Sequence, residues 1–131
     1  MLSAARDGRH ALLVAPTGAG KTLSGFLPSL AELIEAPDFD GLHTLYVSPL
    51  KALAVDVERN LRSPLVGVTQ TAKRLGAAPT PIRVGVRSGD TPQAERRALS
   101  KEPPDILITT PESLFLMLTS SARETLRTVH T

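Results

Sequence analysis

The eight residues from Ala15 to Thr22, with the sequence APTGAGKT, constrain the fold of this chain more than any other feature. A short apolar run, His10 to Val14, precedes them, and an apolar-rich segment extending to Ile34 follows. A Gly-rich loop between a strand and a helix is typical of a P-loop, whose backbone N–H groups surround phosphate oxygens. Ala15 stands where the strict pattern has Gly, so the match is to the relaxed form. The alternative is a Gly-rich turn that binds no ligand.

The chemistry of a P-loop gives each of these residues a predicted role. Lys21 would reach the β- and γ-phosphates of a nucleotide, and the Thr22 hydroxyl would hold Mg²⁺. The predicted cofactors are therefore ATP and Mg²⁺, with Thr22 as the metal ligand. The residues predicted to bind the nucleotide are Thr17, Gly18, Ala19, Gly20, Lys21 and Thr22.

Length and composition exclude several classes of protein. The 131 residues, 41% of them hydrophobic, are enough for one core and one domain. The absence of Cys excludes disulfides and thiolate metal sites and fits a reducing cytoplasm. No apolar run is long enough to span a membrane, and no secretory signal is evident, so a cytoplasmic protein is expected. The net charge of +2 slightly favours anionic partners.

Strand and helix patterns alternate along the chain. The expected strands are His10–Val14, Leu42–Val47, Ile82–Val86 and Asp105–Thr109. The expected helices are Thr22–Glu35 with a kink at Pro28, Lys51–Leu61, a second segment Val66–Leu75 after an interruption at Pro64, Thr91–Leu99, Pro111–Leu118 and Arg123–Arg127. This alternation predicts an α/β fold, with a mostly parallel sheet and helices on both faces. Ligands of such folds bind at the carboxyl ends of the strands.

Three loops that follow expected strands share one chemistry. Their sequences are SPLK from Ser48, SGDT from Ser88 and TTPE from Thr109. Each places the free N–H groups of a helix start beside a hydroxyl, an arrangement that suits phosphate oxygens. Along one sheet edge they could contact a nucleic-acid backbone without reading its sequence. The alternative is that Ser-Pro and Thr-Pro are simply favourable at helix starts.

Four segments, APTGAGKT, SPLKALAVDVERNL, RSGDT and PPDILITTPESL, resemble motif I, motif Ia, the glycine-containing motif and motif Ib of superfamily 2 helicases. SPLKALAVD and PDILITTPESL are similar to the large helicase-related (Lhr) group. GLHTLYVSPLKALAVDVERNL is most similar to its ligase-associated DNA DEXH-box helicase branch. The resemblance covers about residues 3 to 129. It implies that residues 1–131 are part of a first RecA-like helicase ATP-binding domain, a P-loop NTPase fold.

The same resemblance implies ATP hydrolysis, translocation on single-stranded DNA, a role in DNA repair, and association with DNA ligase and nuclease repair proteins. Carried over by position, it also implies a set of nucleic-acid contacts: Ser48, Pro49, Lys51, Arg87, Gly89, Asp90, Thr110, Pro111 and Glu112. For Lys51 the alternative is a solvated lysine at a helix start. Glu112 has the alternative role of stabilising its helix by charge alone.

The chain departs from the helicase pattern in one respect. It contains no Asp-Glu dipeptide, the acidic pair that in the family holds Mg²⁺ and orients the attacking water. The second RecA-like domain is also missing, so no catalytic residue is assigned. We therefore expect the N-terminal fragment of an ATP-dependent DNA helicase. The alternative is a nucleotide- and nucleic-acid-binding remnant without turnover. A P-loop kinase or transporter ATPase is less favoured, because the transporter signature is absent and a kinase does not need the Ser-Pro and Thr-Pro loops.

Overall fold

The computed structural model describes residues 3–4, 7–16, 20–78 and 80–131. Within them, three strands form one sheet: β1 Thr44–Val47, β2 Val84–Arg87 and β3 Ile106–Thr109. Their order is β1-β3-β2, and both pairs are parallel. The predicted parallel sheet is therefore confirmed, although each strand is shorter than the sequence pattern indicated.

Helices connect these strands in the expected alternation. They are α1 Lys21–Glu35, α2 Lys51–Arg74, α3 Gln93–Lys101 and α4 Pro111–Leu118, followed by a 3₁₀-helix, Ser121–Thr128. The bounds of α4 agree with the prediction to the residue, because Thr110 and Pro111 together define its start. Pro92 precedes α3 as its N-cap rather than opening it. No described helix has the length and apolar character to cross a membrane.

The two faces of the sheet carry separate cores, because alternate residues of a strand point to opposite faces. On one face, Ile106 and Ile108 of β3 pack with apolar side chains of α1 and α2, among them Phe26, Leu30 and Leu61. On the other face, Leu107 packs with Leu42, which lies in the loop before β1, and with Met117 of α4. Side chains of α3 and the 3₁₀-helix pack against the same cluster. Helices therefore cover both faces, as the sequence predicted.

The predicted strand His10–Val14 is wrong. Residues 9–16 have no regular structure, and Leu12 and Val14 are 89% and 83% exposed. A strand is stabilised by pairing with a neighbour, which an apolar sequence alone cannot guarantee. At the edge of β1 nearest the chain's C-terminal residues, Leu45 donates its N–H to the carbonyl of Thr131 at 2.7 Å. His130 donates to the carbonyl of His43 at 2.9 Å. That edge is thus contacted by residues 130–131 rather than by the segment before the Gly-rich loop.

The predicted interruption at Pro64 is also wrong, since α2 is one continuous helix of 24 residues that contains Pro64. Proline lacks the N–H for one helical hydrogen bond and usually costs about 3 kcal/mol inside a helix. Leu61 before Pro64 is fully buried, and Leu65 after it packs against the same core. Burial of a leucine side chain contributes about 1.5–3 kcal/mol. Packing on both sides of Pro64 therefore offsets the lost hydrogen bond. Pro28 is likewise buried inside α1.

Candidate functional site

The carboxyl ends of the three strands lie side by side. Val47 of β1 and Arg87 of β2 are both in register with Thr109 of β3. The loops after these residues therefore emerge at one edge of the sheet, where α/β folds bind ligands. Eight of the nine residues predicted to contact nucleic acid belong to these loops or to the first residues of the helices that follow, and the ninth, Arg87, is the last residue of β2.

An ion pair joins two of the loops. The Lys51 ammonium, in the first turn of α2, contacts the Asp90 carboxylate in the loop after β2. Both side chains are more than half exposed, so solvent screens the pair and its contribution to stability is at most about 1 kcal/mol. Lys51 can therefore exchange this carboxylate for another anion at little cost. The sequence placed both residues in the site but gave no indication that they contact each other.

Ser48 and Thr109 hold the loops in place. Ser48 is fully buried; its hydroxyl donates to the Leu50 carbonyl at 3.0 Å, and its N–H donates to the Thr109 carbonyl at 2.8 Å. The buried Thr109 hydroxyl donates to the Arg87 carbonyl at 2.8 Å. These bonds tie the ends of all three strands together. Ser48 is thus positioned to shape the loop, while Pro49 and Lys51 are exposed beside it.

The helix starts at this edge differ in how they are capped. The Thr110 hydroxyl accepts a hydrogen bond from the N–H of Ser113 at 3.4 Å, so α4 caps itself. Pro111 and Glu112 are exposed in its first turn. The N-cap of α2, Leu50, makes no side-chain cap. The first N–H groups of α2 have no acceptor within their own helix and, with Lys51 beside them, form the more favourable place for an anion.

The loop after β2 is held by an arginine that the sequence reading missed. Nη2 of Arg96, one turn into α3, donates to the Gly89 carbonyl at 2.6 Å and to the Ser88 carbonyl at 3.2 Å. Arg87 at the end of β2 is buried, and its Nε has no partner. Burial lowers the pKa of Arg87, and the nearby Arg96 lowers it further. The sequence did contain a signal for this contact, because Arg96 is a basic residue in the first turn of the helix that follows the SGDT loop.

The start of α1 retains the features of a phosphate-binding loop. Gly20 has φ +75°, which favours glycine, and no side chain caps the helix. The Lys21 ammonium donates to the carbonyls of Ala15 at 2.6 Å and Pro16 at 2.7 Å. It is thus satisfied by loop carbonyls that a phosphate could replace. The Thr22 side chain is exposed. The other predicted nucleotide ligands, Thr17, Gly18 and Ala19, lie outside the described residues.

No hydrogen bond or ion pair between described residues joins the start of α1 to the three loops.

The structure also assigns the histidines no ligand role. His43 is buried, with Nε2 3.2 Å from Glu32 Oε2 and its ring stacked on His130. Burial lowers the pKa of His43. Across the part of the chain that the structure describes, no three His, Cys, Asp or Glu side chains form a metal-binding group.

Comparisons with known proteins agree with this geometry. The DEAD/DEAH box helicase family matches residues 1–131. The Lhr helicase/probable uracil glycosylase of Mycolicibacterium smegmatis is 61% identical over 132 residues, 98% of this chain and 9% of that protein. The Escherichia coli Lhr helicase/uracil glycosylase is 54% identical, over 97% of this chain and 9% of that protein.

Solved structures give the same result. The structure of Mycobacterium smegmatis helicase Lhr bound to ssDNA and AMP-PNP matches with a TM-score of 0.88 and 61% identity. The match covers 97% of this chain and 16% of that one. DUF1998 helicase MrfA bound to DNA and AMPPNP matches at 0.71 and 25% identity, over 97% of this chain and 16% of that one. This chain spans only about a tenth of the length of the two Lhr proteins above. It belongs to the DEAD/DEAH box helicase family, and within that family to the Lhr type.

Proposed function

We propose that this chain binds ATP at the start of α1 and single-stranded DNA along the carboxyl edge of its sheet, as part of an ATP-dependent DNA helicase. The observation that carries the proposal is the convergence of three loops at that edge, two of them joined by Lys51 and Asp90. A relative with 61% identity has been solved with ssDNA and AMP-PNP, which supports both ligands.

The nucleotide part of the proposal rests on Lys21 and the uncapped start of α1. The Lys21 ammonium would leave the carbonyls of Ala15 and Pro16 and contact phosphate oxygens, which are stronger acceptors. The first backbone N–H groups of α1 would donate the remaining hydrogen bonds to the phosphate oxygens. The exposed Thr22 hydroxyl would hold Mg²⁺, which in such sites neutralises charge on the β- and γ-phosphates. Thr17, Gly18 and Ala19 remain predicted contributors.

The DNA part of the proposal is a set of backbone contacts. Lys51 and the free N–H groups of α2 face the same edge as the turn at Gly89 and the start of α4. All three loops lack aromatic side chains, so base stacking cannot dominate. Binding through phosphates is independent of sequence and weakens steeply as salt rises. We expect weak binding of single strands with those two properties.

The decisive test compares two lysines of one helix. Lys51→Ala removes the proposed phosphate contact, while Lys73→Ala removes an exposed lysine 22 positions later, about 33 Å away at 1.5 Å per residue. Fluorescence anisotropy with labelled single strands is measured over a range of salt. Lys51→Ala should weaken binding of all sequences alike and reduce the salt slope by about 0.7, the value for one phosphate of a single strand. The three loops at Ser48, Gly89 and Thr110 are together called the DNA track. Equal small effects of both substitutions would refute DNA binding along it.

The Lys51–Asp90 pair supplies a second arm of this test. Asp90→Asn removes the carboxylate that competes with phosphate for Lys51, so DNA affinity should rise. Asp38→Asn, at an exposed position in the loop before β1, is the matched control for the lost negative charge. A rise in affinity confined to Asp90→Asn would show that Lys51 is the group being released.

The alternative function is binding of nucleotide and nucleic acid without turnover. A DNA-stimulated ATPase rate that disappears in Lys21→Ala would exclude this alternative. Association with DNA ligase and nuclease proteins, a role in repair and a cytoplasmic location are parts of the same proposal. Co-purification of the chain with such proteins from cell extracts would test the first of these.

A further inference from the structure

A cationic cavity lies beside the loop that follows β2. It has a volume of about 590 Å³ and is bounded by α3, the end of α4 and the start of the 3₁₀-helix. Four of its lining residues are positively charged: Arg87, Arg96, Arg97 and Lys101. The remaining lining residues are neutral, so the cavity contains no acidic partner for these charges.

The burial of Arg87 beside a second guanidinium points to a missing anion. Arg87 is only 7% exposed, and its Nε has no hydrogen-bond partner; the Nε of Arg96 also has none. None of the four cations forms an ion pair with any described residue. Burying a charge without a partner is costly, and a second guanidinium nearby adds repulsion. An anion in the cavity would offset the charge of both guanidinium groups and reduce the repulsion between them.

The chemistry of the cavity favours a phosphate group. Arginine guanidinium groups donate two hydrogen bonds in a fork that matches phosphate oxygens, and several of them together typically recognise phosphate. The cavity also adjoins the proposed DNA track, because Arg96 lines it and donates to the carbonyl of Gly89 in the track. A strand held by Lys51 and the Gly89 turn would thus pass close to the cavity.

We propose that this cavity is a phosphate-binding subsite that takes one backbone phosphate of the bound DNA strand. Arg87 is its buried donor, Arg96 is half-buried, and Arg97 and Lys101 are its exposed donors. The subsite rests on the proposed function, since it extends the DNA track onto α3. Arg96, Arg97 and Lys101 are outside the helicase motifs recognised in the sequence.

The test uses a charge-matched pair of double variants. Arg97→Gln with Lys101→Gln removes the two exposed donors of the cavity. Lys73→Gln with Arg74→Gln removes the same two residue types from the last turn of α2, where neither forms an ion pair with a described residue. Neither pair is buried, so both double variants should keep the thermal transition of the wild type. The subsite predicts a three- to tenfold loss of single-strand affinity for the first double variant beyond that of the second. It also predicts a salt slope smaller by about 0.7, the value for one phosphate of a single strand.

A second readout follows Arg87 and Arg96 directly. The Nε–H signals of Arg87 and Arg96 in NMR spectra should shift when a short single-stranded oligonucleotide is added. A shift with inorganic phosphate but not with the oligonucleotide would overturn the DNA subsite in favour of a free-phosphate site. Equal DNA affinities of the two double variants would overturn the subsite alone, provided that Lys51→Ala still weakens binding. No DNA binding by the wild type would overturn the subsite and the proposed DNA track together.

Discussion

Lys21 is the residue whose removal should affect nucleotide binding most. Its ammonium makes two short hydrogen bonds to loop carbonyls and is held at the start of α1, where phosphate oxygens would compete for it. Losing a hydrogen bond to a charged group costs about 1.5–3 kcal/mol. Lys21→Ala should therefore weaken binding of a fluorescent ATP analogue by roughly 10- to 150-fold at 1.4 kcal/mol per factor of ten.

The matched control for that change is Lys73→Ala, at an exposed lysine far from α1's first turn along the chain. It should leave nucleotide affinity unchanged, because it alters only the net charge. Equal affinity of wild type and Lys21→Ala would mean that the segment does not act as a P-loop. That result would favour the Gly-rich turn without a ligand.

His43 makes the stability of the fold depend on pH. Burial lowers its pKa below the unfolded value of 6.5, and His130 lowers it further, while Glu32 and Asp105 act in the opposite direction. Because the folded state resists protonation, the unfolded state binds more protons as pH falls below 6.5. The stabilising contribution is therefore fully present above that pH and is lost as pH falls towards the lower, folded pKa.

The corresponding measurement is urea unfolding between about pH 8 and pH 5. The free energy of unfolding should decrease as pH falls below 6.5, and His43→Gln should make this decrease smaller. His10→Gln is the control, since His10 is exposed. An unchanged pH dependence in His43→Gln would show that another group is responsible.

Among the secondary-structure elements, α2 contains the least expected feature, a proline in the middle of a 24-residue helix. Pro64 leaves the carbonyl of Asn60 without its usual helical N–H donor, and its ring crowds the preceding turn. Pro64→Ala should restore that hydrogen bond and raise the free energy of unfolding by roughly 1–3 kcal/mol. Ser63→Ala, at the neighbouring exposed position, should change it by a few tenths of a kcal/mol.

Chemical denaturation of these two variants separates local propensity from packing. Pro64 also lines the apolar groove between α1 and α2, so its side chain has contacts that Ala would lose. If Pro64→Ala is destabilising, those contacts outweigh the restored hydrogen bond, and the proline is retained for packing. The melting temperature should follow the same order as the unfolding free energies.

Comparison of elements shows what the sequence could predict. α1 and α4 were predicted well, because each has a strong local start signal followed by an apolar stripe. The strand His10–Val14 and the break at Pro64 were wrong, because both depend on partners distant in the sequence. Local pattern indicates which face of an element is apolar, but it does not reveal whether a neighbouring strand or core is present to cover it.

In the candidate site, too, features set by local sequence could be predicted and contacts between distant elements could not. The loops that converge at the sheet edge could be predicted, because parallel strands place their carboxyl ends together. The pairing of Lys51 with Asp90 and the cavity around Arg87 and Arg96 could not. Those contacts join residues that lie on different elements, and their geometry is set by how the helices pack.

At the scale of the whole molecule, exposed apolar side chains predict self-association. Leu12 and Val14 project from the irregular segment before α1 and are almost fully exposed. They belong to a short apolar run in a chain whose edge strand β2 pairs with no described strand on its outer side, a combination that favours edge-to-edge pairing. We expect the chain to associate in a concentration-dependent manner and to unfold irreversibly on heating.

Light scattering during heating, and at rising protein concentration, measures this association. Leu12→Ser with Val14→Ser should raise the concentration and the temperature at which scattering begins. The control is Leu75→Ser, because Leu75 is also 83% exposed but lies in the turn after α2. If that variant has an equal effect, apolar exposure in general is the cause rather than strand pairing by residues 10–14.

Sulfate should strengthen the association, since it strengthens apolar burial, whereas association through charges would weaken as salt rises. A soluble monomer with a sharp, reversible thermal transition would contradict the prediction, because the exposed run would then be tolerated without a partner.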